Sequence, residues 1–463
     1  MADPSSPPRS SLETPRREPR RSPWLVLLVV IVAFVLTRGA MAYVVENPDL
    51  YSVGQHEVVD AGFDRGNYRI LSERFREVGD RPYQDYPLEY PPGAFAAALV
   101  PDLFGQPFDY EFRFLLFAIA VDAVGLVAVW RLARRTGVWW GVGAWIVLVP
   151  LVGPVTYSRL DIVVAAALAW ALERAVAGAW GRSGVAFGVG AVSKLVPALL
   201  LPAAVLVAPR RWRLVVGVAA VVALAVLPFT GHLGDLYHDV ITYHRARPVH
   251  AESLWASLAF LLDRLGLAAP GIEFSYGAFN VTGEWAAAFR GLADLAALGV
   301  LVDSVLQARL RVRRGDGAHL AVLSVATLTL LTAVGRVLSP QYVVWLVALQ
   351  AIGLCVAPRA LAWSAAWMAL AVGLTHLEYP VFFGDVMNRH AEAEYLLLAR
   401  NVAILVSGLL AARVSWRYRS VAPVGEGGQE VEARLGNGGE GPDGHKGDEG
   451  QERGEEDAAR NQA

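Results

Sequence analysis

Repeated apolar runs constrain this chain more than any other feature. A membrane-spanning helix needs roughly 20 mostly apolar residues, because each adds about 1.5 Å across a hydrocarbon core about 30 Å thick. Such runs occupy residues 23–43, 112–132, 138–156, 159–179, 184–193, 195–208, 213–229, 287–308, 318–335, 341–357, 361–377 and 394–414. Two of them are short; they flank Lys194 and Pro197 and read as one tight hairpin of broken helices. The expected fold class is therefore an all-α integral membrane protein, a bundle of about twelve transmembrane helices with loops and interfacial helices outside it. Only 18% of the residues are charged, where a soluble protein of this size carries about a quarter. Even that share lies largely in the ends. The basic segment 1–22 precedes the membrane domain 23–414, and residues 415–463, rich in Gly, Glu and Asp, are expected to be a disordered cytoplasmic tail.

Orientation follows from where arginine collects. Clusters at Arg16, Arg17, Arg20 and Arg21, at Arg131, Arg134 and Arg135, and at Arg210, Arg211 and Arg213 lie beside span ends. Further clusters are Arg309, Arg311, Arg313 and Arg314, then Arg413, Arg417 and Arg419. Threading the spans alternately puts all of them inside, so both termini are expected in the cytoplasm of a multi-pass cell-membrane protein. The longer segments 44–111, 230–286 and 378–393 then face outward. Ala40-Met41-Ala42 resembles a small-residue cleavage site, but the run from Pro23 is long and Arg38 interrupts its end, which favours a retained span. Cys355, the only cysteine, excludes a disulfide within the chain and reads as a small buried hydrophobe. The charge pattern carries no nucleic-acid footprint, and there is no solenoid repeat.

Polar residues at a membrane boundary are costly unless used. In the first outer segment Tyr68, Leu71, Phe75 and Val78 fall at helical spacing with charges between them, as suits either a helix on the membrane surface or an ordinary packed one. Asp64 stands just before it, placed to cap the helix or to act as an outward-facing general base. Asp60 lies nearby, and Asp85 and Glu89 follow, ahead of a Pro-Pro turn. His238, His244 and His250 recur at spacing six, which does not hold them on one helix face, so a polar acceptor pocket is favoured over a metal site. Asp122 and Asp303 lie inside spans and suggest no role beyond facing the protein interior.

The ordered motifs resemble a known family. Asp64-x-x-x-Tyr68, a short helix, Pro82-Tyr83-Gln84-Asp85 and Glu89-Tyr90-Pro91-Pro92-Gly93 resemble the first outer loop of the GT-C glycosyltransferases, specifically the actinobacterial DUF2029 (GT87) family. Arg159-Leu160-Asp161 opens a span, and the Gly-rich stretch from Gly188 through Lys194-Leu195-Val196-Pro197 to Leu201-Pro202 continues the likeness. Arg247 with Glu252-Ser253, and Arg336 followed by Ser339-Pro340-Gln341-Tyr342, complete it across roughly residues 23–414.

This resemblance implies a GT-C-type bundle that transfers a sugar, usually mannose, from a polyprenyl-phosphate donor on the extracytoplasmic side with inversion. The implied acceptor is a glycolipid or cell-wall polysaccharide. No cofactor is implied, and metal dependence is not expected. Asp64 matches the family's acidic base, with Asp85 as runner-up. Cations should stabilise the leaving lipid phosphate, and Lys194, Arg247 and Arg336 are the candidates. Tyr68, Glu89, Tyr90, Asp161, His250, Glu252, Gln341 and Tyr342 are candidates for the sugar and acceptor sites. The competing class is a secondary transporter or lipid flippase, which twelve spans also suit. Transporters of that kind usually have two similar halves around a midplane site; here no such halves are visible, and the polar residues gather outside. A non-catalytic scaffold descended from an enzyme is the third reading.

Overall fold

The computed structural model describes residues 23–51, 63–105 and 107–419. Segment 1–22, Asp60 and the tail from residue 420 lie outside the described residues. The first long apolar run forms α1 (Pro23–Glu46), 24 residues and so about 36 Å of helix. Short helices α2 (Phe63–Glu73) and α3 (Pro92–Leu99) follow, before α4 (Tyr110–Thr136) crosses back. The next crossing is broken into α5 (Trp140–Leu151) and a single turn, α6 (Val155–Ser158), at Gly153 and Pro154. Then come α7 (Asp161–Val176), α8 (Trp180–Ser193), α9 (Leu201–Val207) and α10 (Arg211–Val226).

The second loop segment builds α11 (Leu233–Tyr237), α12 (Tyr243–Ala246), α13 (Leu254–Arg264) and a hairpin of β1 (Gly271–Ser275) with β2 (Ala278–Thr282). The chain ends in α14 (Ala286–Leu310), α15 (Gly317–Val334), α16 (Val343–Val356), α17 (Pro358–His376), the short α18 (Phe383–Met387) and α19 (Ala391–Arg417). Every expected span is occupied by helix. Among the described residues, six helical stretches are long and apolar enough to cross a membrane.

Of the other expected spans, α7, α8 and α16 are shorter, at 16, 14 and 14 residues. α15 and α16 are apolar on all sides and buried along almost their whole length, the pattern of a central helix rather than a lipid-facing one. α5, α7 and α4 pack against α16, α19 packs against α15 and α17, and α8 lies against α10. That last pair meets backbone to backbone: a Cβ at Gly184 would come 2.1 Å from the Leu214 carbonyl oxygen, and one at Gly217 2.4 Å from that of Gly181. Small residues permit this approach where no hydrophobic force between helices exists. α1, α10 and α14 expose Leu and Val side chains, such as Leu36, Leu224 and Leu295, as lipid-facing helices do.

Asp122, for which the sequence suggested no role, is the centre of an interhelical knot. Arg38 Nε donates to it at 2.8 Å, Trp145 Nε1 at 2.7 Å and the Tyr157 hydroxyl at 2.6 Å. Arg38 also donates to the Ile146 carbonyl at 2.6 Å, so α1, α4, α5 and α6 are tied at one buried point. Asp303 accepts from Gln307 and from Trp416, joining α14 to α19.

Two local expectations change. α2 begins at Phe63, so Asp64 sits within its first turn and not ahead of it as a cap. The helix then widens into a π turn over Arg74–Val78, which rotates the apolar stripe. Tyr68 is buried, whereas Phe75 and Val78 are exposed. The packed side is fixed by polar ties: Arg65 to Glu46, Arg69 to Glu111, and Ser72, Arg76 and Arg113 to Asp102.

Candidate active site

Three interior helices are too short for the bilayer. α7 has 16 residues and α8 and α16 have 14 each, about 24 Å and 21 Å of helix. Their ends meet beneath the loop segments, where Asp161, Lys194, Tyr342 and Trp345 come together within protein, the setting in which irregular backbone and charge are tolerated. α8 ends at Ser193, leaving Lys194 extended, and Pro197, which lacks an N–H, stands in the first turn of the 3-10 helix Val196–Leu200 that follows. Asp161 is the first residue of α7, where the helix dipole favours a carboxylate.

These two ends are joined. Lys194 Nζ donates to Asp161 Oδ1 at 2.8 Å. The ammonium also lies 4.4 Å from the Tyr342 ring centre and 4.9 Å from that of Trp345, two rings stacked 4.3 Å apart. One lysine is thus held between a carboxylate and aromatic faces.

The loops close over this pair. Glu89 lies in the fields of Arg247, Arg159 and Lys194, in that order of strength, and burial raises its carboxyl above the usual carboxylate range despite them. Its segment is latched by the second loop: the Leu88 N–H donates to Asp239 at 3.1 Å, and the His244 ring bonds the Glu89 backbone. The Tyr83 hydroxyl donates to the Tyr90 carbonyl at 2.6 Å, bracing the same stretch from within. Arg247 Nε is buried without a hydrogen-bond partner, and the guanidinium makes no ion pair among the described residues.

Residues 249–251 run as an extra strand beside β2, with the Val281 N–H on the Val249 carbonyl and the Ala251 N–H on the Phe279 carbonyl. The His250 N–H donates to the Arg336 carbonyl at 2.8 Å, and Arg336 reaches the His244 carbonyl at 3.3 Å and Asp294 at 3.4 Å. His250 is buried; desolvation, reinforced by Arg247, pulls its imidazole down to about 3, so it is neutral at physiological pH. Its ring bonds the Leu338 carbonyl, and Nδ1 accepts the Glu252 N–H at 3.4 Å.

Behind it is a charged cluster. Arg400, fully buried on α19, donates to Glu378 at 2.8 Å and to the Glu252 carbonyl at 2.5 Å, which also accepts from Asn401 at 3.1 Å. The Glu252 and Glu378 carboxyls are in hydrogen-bonding contact, and each has one buried oxygen with no other partner. Burial and then the Glu378 carboxylate raise Glu252 well above the usual range, which favours its protonated form beside the Arg400–Glu378 pair.

Of the sequence candidates, Glu89, Tyr90, Asp161, Lys194, Arg247 and Tyr342 converge around the Asp161–Lys194 pair. Arg336, His250 and Glu252 form the adjoining wall, and Gln341 lies in the buried turn next to Tyr342. Asp85 does not join them: it is exposed, and its carboxylate caps a turn by accepting the Arg81 N–H at 2.8 Å. Tyr68 is buried in packing, stacked on Phe114 at 5.2 Å with Tyr90 at 6.1 Å. The side chain of Asp64 lies outside the described residues. Sequence reading missed Glu378, Arg400 and Trp345. A charge inside a span was the available signal for Arg400; a tryptophan in an apolar run gives none.

A polytopic helical membrane protein with a cluster of cations and carboxylates beneath folded loops is the class that these features define. The chain belongs to glycosyltransferase family 87, whose family model matches residues 88–333. It is thus a membrane glycosyltransferase. No curated protein matches the sequence. Among solved structures it is similar to ArnT from Cupriavidus metallidurans in the apo state, at 15% identity over 84% of this chain and 76% of that one, with a TM-score of 0.39.

Proposed function

We propose that this glycosyltransferase takes its sugar, a hexose such as mannose, from a polyprenyl-phosphate donor and passes it to a glycolipid or cell-wall polysaccharide hydroxyl. The observation that carries the reading is the grouping of Lys194, Arg247 and Arg159 around Glu89, with Arg336 on the adjoining loop. Cations grouped beneath the loops of a membrane protein suit a leaving phosphate on a lipid. The loop-rich face is extracytoplasmic in this reading, because the arginine clusters lie at the opposite helix ends.

Transfer proceeds by single displacement with inversion. A carboxylate of the first loop segment removes the acceptor proton, the acceptor oxygen attacks the anomeric carbon, and the bond to phosphate breaks on the opposite side. Asp64 is the base by its motif. Lys194, Arg247 and Arg336 take up the charge that develops on the departing phosphate. His250, Gln341 and Tyr342, backed by Glu252, line the sugar and acceptor side, and no metal enters the scheme. Glu89 supports a second assignment of the base, since its carboxyl is raised by burial and faces the cations.

The test is transfer from a radiolabelled polyprenyl-phosphate sugar by the full-length protein in nanodiscs. Lys194→Met should cut turnover by at least about a hundredfold, the usual scale for losing one preorganised charge contact. Asp64→Asn should abolish transfer while Glu89→Gln and Asp85→Asn retain part of it. If Glu89→Gln is dead and Asp64→Asn active, Glu89 is the base. Donor-independent substrate uptake without transfer would overturn the reading.

A further inference from the structure

A second ligand site lies away from the Asp161–Lys194 cluster. Between α1, α4 and α5 is a groove of about 880 Å³ whose walls include Trp24, Val30, Trp130, Trp139 and Ile146. Arg134 is its only charged lining residue. The neighbouring arginines of α4 are engaged: Arg131 and Arg135 lie 3.6 Å and 3.4 Å from the buried Glu173, which Arg174 also contacts. Arg134 has no hydrogen-bond or ion-pair partner among the described residues and is exposed.

The groove belongs to the other side of the membrane domain. Glu173 is twelve residues along α7 from Asp161, about 18 Å of helix, and Arg134 lies at that far end of the bundle. α1 is anchored deeper by the Arg38–Asp122 pair, so its first turns can form one wall of an open slot instead of closing on α5.

We propose that this groove holds one acyl chain of an anionic phospholipid from the arginine-rich leaflet, with its phosphate on Arg134. Apolar walls facing lipid take a chain, and tryptophans at the mouth suit the headgroup level. A planar guanidinium with free donors fits a phosphodiester in a bidentate manner and discriminates against a lipid of no net charge. The segment before α1 carries more basic than acidic residues, five arginines against Asp3, Glu13 and Glu18, and so is a weaker counter-charge for Arg134 than a phosphodiester. A second copy of the chain would bury that guanidinium against apolar surface without an anion. The lipid would stabilise the α1–α4–α5 corner and make the enzyme sensitive to the composition of the leaflet opposite the Asp161–Lys194 cluster.

The experiment uses the full-length protein in phosphatidylcholine nanodiscs containing a minority of phosphatidylglycerol, with bromine on the acyl chains of one lipid or the other. Brominated phosphatidylglycerol should quench tryptophan fluorescence more strongly than brominated phosphatidylcholine at equal proportion. Trp24→Phe with Trp130→Phe and Trp139→Phe should remove the difference in quenching between the two lipids. Arg134→Gln should lower the preference about fivefold, the factor expected for one basic residue at an anionic lipid surface, and Arg134→Lys should keep part of it. Equal quenching by both lipids, or a preference unchanged in Arg134→Gln, overturns the proposal. So does efficient disulfide formation between two chains of a Val147→Cys, Cys355→Ser variant, which would give the groove to a second copy.

Discussion

Replacing Arg400 by leucine removes the cation from a cluster that has no access to water. Arg400 and Glu378 are both fully buried, and their 2.8 Å pair is the shortest ionic contact either makes. The second contact, to the Glu252 carboxyl, is longer, at 3.6 Å, and burial beside Glu378 favours the protonated form of Glu252, which assigns the uncompensated charge after substitution to Glu378. Breaking a buried pair in this way costs about 3–5 kcal/mol. The lost hydrogen bond to the Glu252 carbonyl adds little, because Asn401 still donates to that oxygen at 3.1 Å. Removing the stranded charge should relieve the damage: Arg400→Leu with Glu378→Gln should be more stable than Arg400→Leu alone, with a coupling of about 2–3 kcal/mol. Unfolding followed by tryptophan fluorescence in mixed micelles measures both quantities. An Arg400→Leu penalty below about 1 kcal/mol, or no recovery in the double variant, would refute the assignment of charge within the cluster.

Two further outcomes follow from the same wall. Glu252→Gln should leave stability within about 1 kcal/mol of the parent, since burial and the Glu378 carboxylate favour the protonated form that an amide mimics, whereas Glu252→Ala should lose the contact to Glu378 and destabilise by about 1–3 kcal/mol; equal losses in denaturant unfolding would contradict that reading. His250 has its folded pKa at about 3 against about 6.5 when unfolded, so the unfolded chain binds the extra proton first. Its contribution is complete above about pH 6.5 and erodes as pH falls toward 3. His250→Gln should therefore flatten the acid limb of the stability profile, and parallel profiles for parent and variant would contradict a neutral buried imidazole.

The parts legible in sequence were those set by one-dimensional physics. Apolar length located the helices, and arginine placement ordered their ends, because both depend on the bilayer and not on neighbours. The break at Lys194 was readable from the two short apolar runs that flank it and Pro197. Which polar residues converge was less accessible. Asp85 and Glu89 are four residues apart and look alike in sequence, yet one caps an exposed turn and the other faces three cations. The difference arises from residues about 150 positions away: Asp239 holds the Leu88 N–H and His244 the Glu89 backbone. Asp122 likewise had no role legible in the sequence, and its three donors on separate helices make it a structural knot.

That contrast bears on how charge is to be read inside this bundle. Arg38 with Asp122 and Arg174 with Glu173 are paired where they are buried, so they fix helices and leave little for a ligand. Arg247 has no such pair, and the Asp161–Lys194 pair stays partly open beside it. Burying an unpaired charge is costly enough that a fold retains it only where a ligand supplies the counter-charge. Arg134, at the far end of α4, is exposed, so no burial cost applies to it; it differs from Arg131 and Arg135 only in having no carboxylate beside it among the described residues. In both proposed sites it is an unpaired cation, and not charge as such, that suggests an anion.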